Sequence, residues 1–261
     1  MTVDGRLAHG DFTALAADYS LYRPGYAPAV RAAILGLLQR PPLQLDAADV
    51  GAGTGIWTRM LADCGFRSLS AVEPNEEMRR LGIRDSAGHE ISWRAGSGEA
   101  TGLDTESVDL VTAASCFHWI DFDRGTAEVC RILRSGGWFV ALWNPRLVEL
   151  NTLLADIEAE IARLKPDFKR VASGRSEFTA SLSERLWSHA GFDDVVMVEG
   201  RQVSIQSVEH HLGAWRSVND VRVQLGEEKF GRFLAYAQRR LAAVDRVETT
   251  YATRAWAARR R

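Results

Sequence analysis

A glycine-rich segment, DVGAGTG at residues 49–55, follows a short apolar run and precedes a helical pattern. Its glycines, Gly51, Gly53 and Gly55, remove the Cβ atoms that would hold a ligand away from the backbone. A dinucleotide-binding fingerprint needs Gly-x-Gly-x-x-Gly, and its third glycine would fall on Ile56. A phosphate-cradling loop needs Gly-Lys-Ser/Thr, which this segment lacks. The spacing therefore predicts a turn that binds another small molecule, or a tight turn without a ligand.

An acidic residue, Glu73, lies about 20 residues beyond the glycine turn, at the end of the next predicted strand. At that place a carboxylate can accept hydrogen bonds from both hydroxyls of a ribose. Pro74 restricts Glu73 to extended backbone geometry, which keeps its side chain at the strand end. The alternative is a solvated acid with no ligand. Together the turn and the acid indicate a ligand that contains a nucleoside.

Strand and helix patterns alternate around these residues. Helical spacing also precedes them at 7–22 and 29–39, where Pro41-Pro42 ends the second helix. Between the predicted strands we expect helices at 56–63, 75–82 and 122–134, the last ended by Gly136-Gly137. The predicted strands are 45–50, 67–72, 91–94, 108–113 and 138–143. Such alternation is typical of an α/β doubly wound, mostly parallel sheet with helices on both faces.

The rest of the chain has a different pattern. Long helical segments are predicted at 146–165 and 207–244, with a short helix at 181–190 between them. A strand at 192–205 and a last antiparallel strand at 247–259 bring the sheet to seven strands. We expect one domain over residues 1–261, with a helical lid formed by 1–27, 145–180 and 207–245. His210 and His211 lie in this lid without metal-ligand spacing, and we expect them at the surface.

Composition excludes several classes of function. The 261 residues have a formal net charge of −2, without the basic excess of a nucleic-acid-binding protein. We expect the basic run at 259–261 to be a solvated tail. The three cysteines share no CxxC spacing, so neither a structural zinc site nor a disulfide framework is expected. No metal is expected elsewhere, and the oligomeric state cannot be read from the sequence.

The chain also lacks apolar targeting signals. Its opening, MTVDGRLAHGDF, has no apolar run and is not typical of a signal peptide. No stretch approaches the roughly 20 apolar residues that a membrane span requires. We therefore expect a cytoplasmic protein without a membrane partner.

Taken together, these segments resemble the class I S-adenosylmethionine-dependent methyltransferases along most of the chain. DVGAGTG is similar to the family's first motif and AVEPNEEM at 71–78 to its second. AGSGEATGL at 95–103, SVDLVTAASCFHWID at 107–121 and RILRSGGWFVALWN at 131–144 are similar to the segments that follow. Phe-His-Trp at 117–119 and Trp-Asn at 143–144 resemble a subgroup that includes trans-aconitate methyltransferase. YSLYRPGY at 19–26 and YATRAWAARR at 251–260 are similar to the same subgroup.

The resemblance implies S-adenosylmethionine as cofactor and gives roles to the matching residues. Asp49 and the glycine turn would hold the methionine end, with Arg23 as partner of its carboxylate, unless Arg23 is an ordinary surface arginine. Glu73 would bind the ribose. The remaining cofactor positions, along the turn, the adenine and the sulfonium, are Gly51, Gly53, Gly55, Pro74, Met78, Gly98, Glu99, Ala114 and Ser115. Many relatives have Asp where this chain has Ser97, which leaves an adenine hydrogen bond there open.

Methyl transfer is an in-line displacement, so the protein mainly supplies alignment and desolvation. A carboxylate acceptor needs no base, whereas a phenol or carbon acceptor benefits from one. His118 is the candidate base, with a structural hydrogen-bonded histidine as the alternative. Asn144 could orient the acceptor or the cofactor. The aromatic residues that could line a substrate pocket, or simply pack in the core, are Tyr19, Tyr26, Trp119 and Trp215.

Three functions remain open at this stage. The first is methyl transfer to a small acid, phenol or natural-product intermediate. The second is a lyase or cyclase in which the cofactor's own amino group attacks its side chain, giving azetidine-2-carboxylate and methylthioadenosine. The third is S-adenosylmethionine binding without catalysis. The identity of the products distinguishes them.

Overall fold

The computed structural model describes residues 10–170 and 174–261. The start of the predicted helix at 7–22 and parts of two predicted lid segments, residues 1–9 and 171–173, lie outside the described residues. The helices are α1 Ala16–Tyr22, α2 Pro28–Leu37, α3 Ile56–Ala62, α4 Glu76–Asp85, α5 Phe122–Ile132, α6 Thr152–Leu164, α7 Glu177–Ala180, α8 Leu182–Trp187, α9 Val208–Arg216 and α10 Asn219–Leu241. Short 3₁₀ turns precede α1 and α6.

The seven strands form one mixed sheet. They are β1 Asp46–Val50, β2 Ser68–Val72, β3 Ser92–Arg94, β4 Val108–Ala114, β5 Leu133–Trp143, β6 Phe192–Ser207 and β7 Arg246–Arg260. Their order is β3-β2-β1-β4-β5-β7-β6, with β1 to β5 parallel and β7 antiparallel to both its neighbours. The predicted α/β doubly wound seven-stranded fold is therefore confirmed.

The central strands separate two apolar layers. Along β5, Phe139, Ala141 and Trp143 belong to one cluster, whereas the alternate residues, Val140 and Leu142, belong to the other. This follows from the period of two in a strand, which sends successive side chains to opposite faces. Both faces of the parallel strands are covered, which explains why β1 is buried along its whole length.

A third cluster lies outside the sheet. Helices α6, α9 and α10 pack together around Trp215, Phe230 and Phe233, and we call these three helices the helical layer. Helix α1 packs on α9 at Gly213, where a Cβ would lie 2.3 Å from the ring of Tyr22. The N-terminal segment and the helical layer are thus in direct contact.

Two predicted boundaries are wrong for a local backbone reason. Helix α5 ends at Ile132, and Gly136-Gly137 lie inside β5, where the register with β4 shifts. Gly136 has φ of +78°, so the glycine allows an irregularity in the strand rather than a helix end. The predicted helix at 207–244 is divided between α9 and α10, and α10 is kinked at Gly226.

Two surface assignments are also wrong. His211 is buried, with its Nε2 3.2 Å from the Trp215 Nε1 that donates to it. The terminal arginines are not a solvated tail, because Arg259 and Arg260 belong to β7. Arg260 also pairs with Glu106 at 3.0 Å. In the described ranges, no helix is both long enough and apolar enough to cross a bilayer.

One half-buried carboxylate fixes the loop that follows β3. Glu128 on α5 accepts hydrogen bonds from the backbone N–H of Thr101 at 2.8 Å and from its hydroxyl at 2.5 Å. Arg131 donates to the same carboxylate at 2.8 Å. Chiefly because of Arg131, the pKa of Glu128 is lowered from 4.5 to about 2. Glu128 therefore anchors the segment that contains Gly98 and Glu99.

We expect Glu128→Gln to lower the free energy of unfolding at pH 7 by about 1–2 kcal/mol, because it removes the ionic partner of Arg131. The depressed folded pKa means that this contribution is present above the unfolded value of 4.5 and is lost as pH falls toward 2. Urea unfolding at pH 7 and pH 3 should show the difference between the two proteins shrinking by roughly half.

The matched control is Glu160→Gln, which removes an ion pair of the same i,i+3 spacing with Arg163, at 2.9 Å. Its effect should be smaller, because exposed pairs of this kind contribute little. Equal losses in both variants, or a loss that grows toward pH 3, would contradict this account of Glu128.

Candidate active site

The carboxyl ends of three neighbouring strands meet at one edge of the sheet. Strands β1, β2 and β4 end there, beside Gly51, Glu73 and Ser115 respectively. The N–H of Gly51 donates to the carbonyl of Val72 at 2.8 Å, which joins the first two strand ends directly. The strand order reverses between β1 and β4, and a doubly wound sheet opens its ligand crevice at such a point.

The glycine turn has no room for side chains. Gly51 and Gly53 have φ of +66° and +57°, in the left-handed region that favours glycine. A Cβ on Gly51 would lie 2.6 Å from the Sγ of Cys116. Both glycines line the cavities at the sheet edge, as predicted. Gly55 lies outside the cavity walls, because it starts α3 with φ of +77° and packs on Trp93.

Asp49 is placed differently from the prediction. It is fully buried behind the turn, and its carboxylate accepts hydrogen bonds from the hydroxyls of Thr58 at 2.6 Å and Thr112 at 2.8 Å. Burial raises its pKa to about 7. Since Asp49 lines neither cavity, it supports the turn from below in this structure instead of facing a ligand.

Glu73 is positioned by the turn and faces a cavity. Its Oε2 accepts a hydrogen bond from the N–H of Gly53, and its Oε1 accepts one from the N–H of Asn75, both at 2.8 Å. A carboxylate can accept about four hydrogen bonds, so both oxygens retain capacity at the cavity wall. Burial raises the pKa of Glu73, and the two N–H donors oppose that rise. The fixed carboxylate is suited to bind two adjacent hydroxyls.

Two cavities adjoin at this edge, of about 240 and 270 Å³. The smaller, which we call the nucleoside cavity, contains most of the predicted cofactor residues. Its lining includes Tyr19, Gly51, Gly53, Glu73, Pro74, Met78, Ser97, Gly98, Glu99, Ala114, Ser115 and Trp119. Asn75 is the N-cap of α4, and its side chain accepts a hydrogen bond from the N–H of Met78 at 3.0 Å. This bond fixes Met78 on the cavity wall. Sequence reasoning did not include Asn75, Phe12 or Ile120, which line the same cavity.

The larger cavity, which we call the acceptor cavity, extends from the sheet edge toward the helical layer. It contains Arg23, Tyr26 and Asn144, together with seven residues that both cavities share. Those shared residues are Phe12, Tyr19, Gly51, Gly53, Ala114, Ser115 and Trp119. The Tyr26 hydroxyl lies 2.9 Å from the Ser115 Oγ, and Ser115 has φ of +58° although it is not a glycine. Strained backbone of this kind concentrates at functional sites.

The two residues predicted to act on the acceptor have internal partners. Asn144 donates to the carbonyl of Gly25 at 2.9 Å and accepts from the Thr253 hydroxyl at 2.8 Å, although it lines the acceptor cavity. His118 lies outside both linings and accepts a hydrogen bond from the Trp143 Nε1 at 3.2 Å. Burial lowers the pKa of His118 to about 4. This geometry agrees with the structural alternative for His118 rather than with a base.

The four aromatic residues predicted to line a substrate pocket are divided between wall and core. Tyr19, Tyr26 and Trp119 line the acceptor cavity. Trp215 does not; it is buried in the helical layer, with its ring 4.8 Å from that of Phe233. The layer reaches the cavity through other residues, among them Ala214.

Sequence reasoning found Arg23 but missed the other charged residues of the acceptor cavity. Arg146, Glu158, Arg170, Arg175 and Asp220 all line it. They come from segments far apart in the chain, and their spacing follows no motif. The one available signal was the position of Arg146 just beyond the end of β5, at the edge where ligands bind.

Comparison with known proteins finds similarity to methyltransferases in part of the chain. Residues 48–141 match the family described as methyltransferase domain. An uncharacterized methyltransferase of Mycobacterium tuberculosis is 36% identical over 146 residues, which cover 56% of this chain and 57% of that protein. The match spans little more than half the length of that relative.

Solved structures share the fold over nearly the whole chain. A protein described as a methyltransferase from an antibiotic biosynthesis pathway of Anabaena variabilis has a TM-score of 0.61 at 18% identity, covering 90% of this chain and 98% of that one. A phosphoethanolamine N-methyltransferase of Haemonchus contortus, solved with S-adenosylhomocysteine, has a TM-score of 0.53 at 14% identity. Its match covers 94% of this chain and 56% of that one. S-adenosylmethionine is the cofactor of such a domain.

The residues present fit this cofactor. Gly51 and Gly53 leave the cavity floor without side chains, as a bound molecule at van der Waals distance requires. Glu73 offers carboxylate oxygens to the ribose hydroxyls, and Met78 offers an apolar surface to the adenine. Arg23 lines the neighbouring cavity, where its Nε donates to the Ser217 hydroxyl at 2.7 Å.

We expect Glu73→Ala to weaken binding of S-adenosylhomocysteine by about 1.5–3 kcal/mol, because hydrogen bonds to a charged group are lost. Isothermal titration calorimetry on wild type and variant measures the change. Glu77→Gln on α4 is the matched control, since Glu77 pairs only with the exposed Arg80 and lines no cavity. An unchanged Kd for Glu73→Ala would show that the ribose is held elsewhere.

Proposed function

We propose that this protein transfers a methyl group from S-adenosylmethionine to a small-molecule acceptor. The observation that carries the proposal is the junction of two cavities of different chemistry at Ala114 and Ser115. One contains the ribose-type carboxylate of Glu73, and the other has aromatic and charged walls. An in-line displacement needs donor and acceptor to approach one point from two sides, which this junction allows.

The sulfonium of the bound cofactor would supply an activated methyl carbon. The residues of this chain align the reactants and exclude water. Tyr19 and Tyr26 lie at the junction, and burial raises the pKa of both phenols, so they remain neutral hydrogen-bonding walls. Trp143 and Trp119 flank His118, with ring centroids 6.1 and 4.5 Å away. We assign His118 as a positioning residue, since a neutral ring holds the Trp143 indole at the cavity wall.

The acceptor classes that we propose are a carboxylate, a phenol or a natural-product intermediate. The Phe-His-Trp and Trp-Asn motifs support a subgroup similar to trans-aconitate methyltransferase. A cavity of about 270 Å³ suits a small molecule. The described residues that both cavities share include no ionisable base other than tyrosine, which favours an acceptor that is already nucleophilic at neutral pH.

A product assay tests this function. Incubation with S-adenosylmethionine and a panel of small acids and phenols should yield S-adenosylhomocysteine, with one methyl group added to an acceptor, as seen by mass spectrometry. Methylthioadenosine as the main product would instead show intramolecular cyclisation of the cofactor. Binding without turnover across the panel would support a non-catalytic role.

We further propose that the N-terminal segment, residues 145–180 and residues 207–245 act as a lid. Within the described residues, Gly10 donates to the Asn219 Oδ1 at 3.2 Å, and Arg23 donates to the carbonyl of Ser217 at 3.0 Å. These contacts join the N-terminal segment to the junction of α9 and α10, directly over the acceptor cavity. Closure would exclude water from the reacting centre.

Hydrogen exchange measures whether the lid moves. We expect S-adenosylhomocysteine to slow amide exchange in residues 10–27 and 207–241, because lids belong to the less stable parts of a fold. Amides of β4, buried in the sheet core, serve as the internal control and should change little. Equal protection of the lid segments in both states would show that these helices are static scaffold.

A further inference from the structure

The acceptor cavity contains four arginines, and two of them have carboxylate partners. Arg170 pairs with Glu158 at 2.6 Å and faces Asp220 at 3.6 Å. Arg175 pairs with Glu149 at 2.6 Å. Their charges are therefore compensated within the protein, and neither requires a ligand.

Arg146 is different. In residues 10–170 and 174–261 its guanidinium has no hydrogen-bond acceptor and no ion-pair partner, and its Nη1 is shielded from solvent. Burial lowers its pKa, Tyr251 and Glu158 oppose that change, and the charges of Arg23 and Arg170 add to it. A buried guanidinium nitrogen without an acceptor destabilises the protein unless a ligand supplies one. The cavity wall thus holds a binding group without its counter-ion.

The guanidinium of Arg146 is also held in a fixed orientation before any ligand binds. Its Cζ lies 3.9 Å from the centroid of the Trp215 ring, which is a close cation–π stack. Trp215 is itself fixed by packing in the helical layer and by its hydrogen bond to His211. A planar guanidinium held in this way loses little conformational entropy when it binds a planar anion.

Arg23 is the remaining arginine of the acceptor cavity. It donates to the hydroxyl and carbonyl of Ser217 and stacks 4.9 Å from the Tyr19 ring centroid, but no carboxylate of the described chain pairs with it. Under the proposed function, the cofactor carboxylate compensates Arg23. Arg146 then remains for a second anion.

We propose that Arg146 binds a carboxylate of the methyl acceptor, which makes the acceptor a small organic acid; this inference rests on the proposed function. The single charge follows from the local balance. Arg146 offers one guanidinium, whereas Arg170 already faces two carboxylates, Glu158 and Asp220, whose excess charge repels a second negative charge on a ligand. A carboxylate also matches the fork of guanidinium donors in shape. A phosphate dianion matches the fork but not the charge.

Calorimetry with protein saturated by S-adenosylhomocysteine tests the assignment. The probes are benzoate, cinnamate and hexanoate, their primary amides, and phenyl phosphate. We expect at least one carboxylate to bind tenfold or more tightly than its amide, and Arg146→Met to weaken that binding at least tenfold. Arg240→Gln, which removes an exposed lid arginine paired with Asp156, should leave the affinity unchanged. No carboxylate binding by the wild type, or tighter binding of phenyl phosphate, would overturn the proposal.

A second measurement separates recognition from folding. Because Arg146→Met removes a guanidinium whose shielded Nη1 has no acceptor among the described residues, we expect the ligand-free variant to melt at the same Tm as the wild type or higher, with its S-adenosylhomocysteine affinity retained. A lower Tm with full carboxylate binding would show that Arg146 is structural. If the wild type does not bind S-adenosylhomocysteine at all, the proposed function is wrong. Titration of the ligand-free protein with the carboxylates would then still show whether Arg146 binds them.

Discussion

The absence of side chains at Gly51 and Gly53 is the constraint on which the rest of the site depends. Cys116, at the end of β4, fills the space that a Cβ on Gly51 would need. The N–H of Gly53 in turn fixes the Glu73 carboxylate. Three strand ends can therefore meet at one point, because the glycine turn occupies so little volume. Asp49 stabilises the turn from below through Thr58 and Thr112, so its burial serves the same close approach.

Much of the fold could be predicted from the sequence pattern, and two of the errors share one physical origin. The alternation of short strand patterns with helical patterns identified the seven strands of the described chain. Glycine, however, permits left-handed backbone without showing which structure uses it. Gly136 was therefore taken for a helix end although it lies in an irregular strand, and Gly226 gave no sign of the kink in α10.

The residues of the site also differ in how far apart they lie in the sequence. Apart from Gly10, Phe12 and Tyr19, the residues of the nucleoside cavity lie in or next to contiguous motifs between 49 and 120, so spacing was sufficient to find Glu73 and Met78. The acceptor cavity draws on the N-terminal segment, the chain beyond β5 and the start of α10. Arg146 and Asp220 come to line one cavity only after the sheet and the helical layer have packed, and no sequence interval encodes that.

This division has a consequence for specificity. The cofactor side is built on strand ends within the sheet, where a substitution disturbs the core. The acceptor side is built on segments that contact one another through a few polar bonds, such as Arg23 to Ser217 and Gly10 to Asn219. Changes in the charge of those segments can alter the acceptor while the glycine turn and Glu73 stay intact. Recognition of the cofactor and selection of the acceptor thus depend largely on different parts of one fold, which meet at the wall that both cavities share around Ala114 and Ser115.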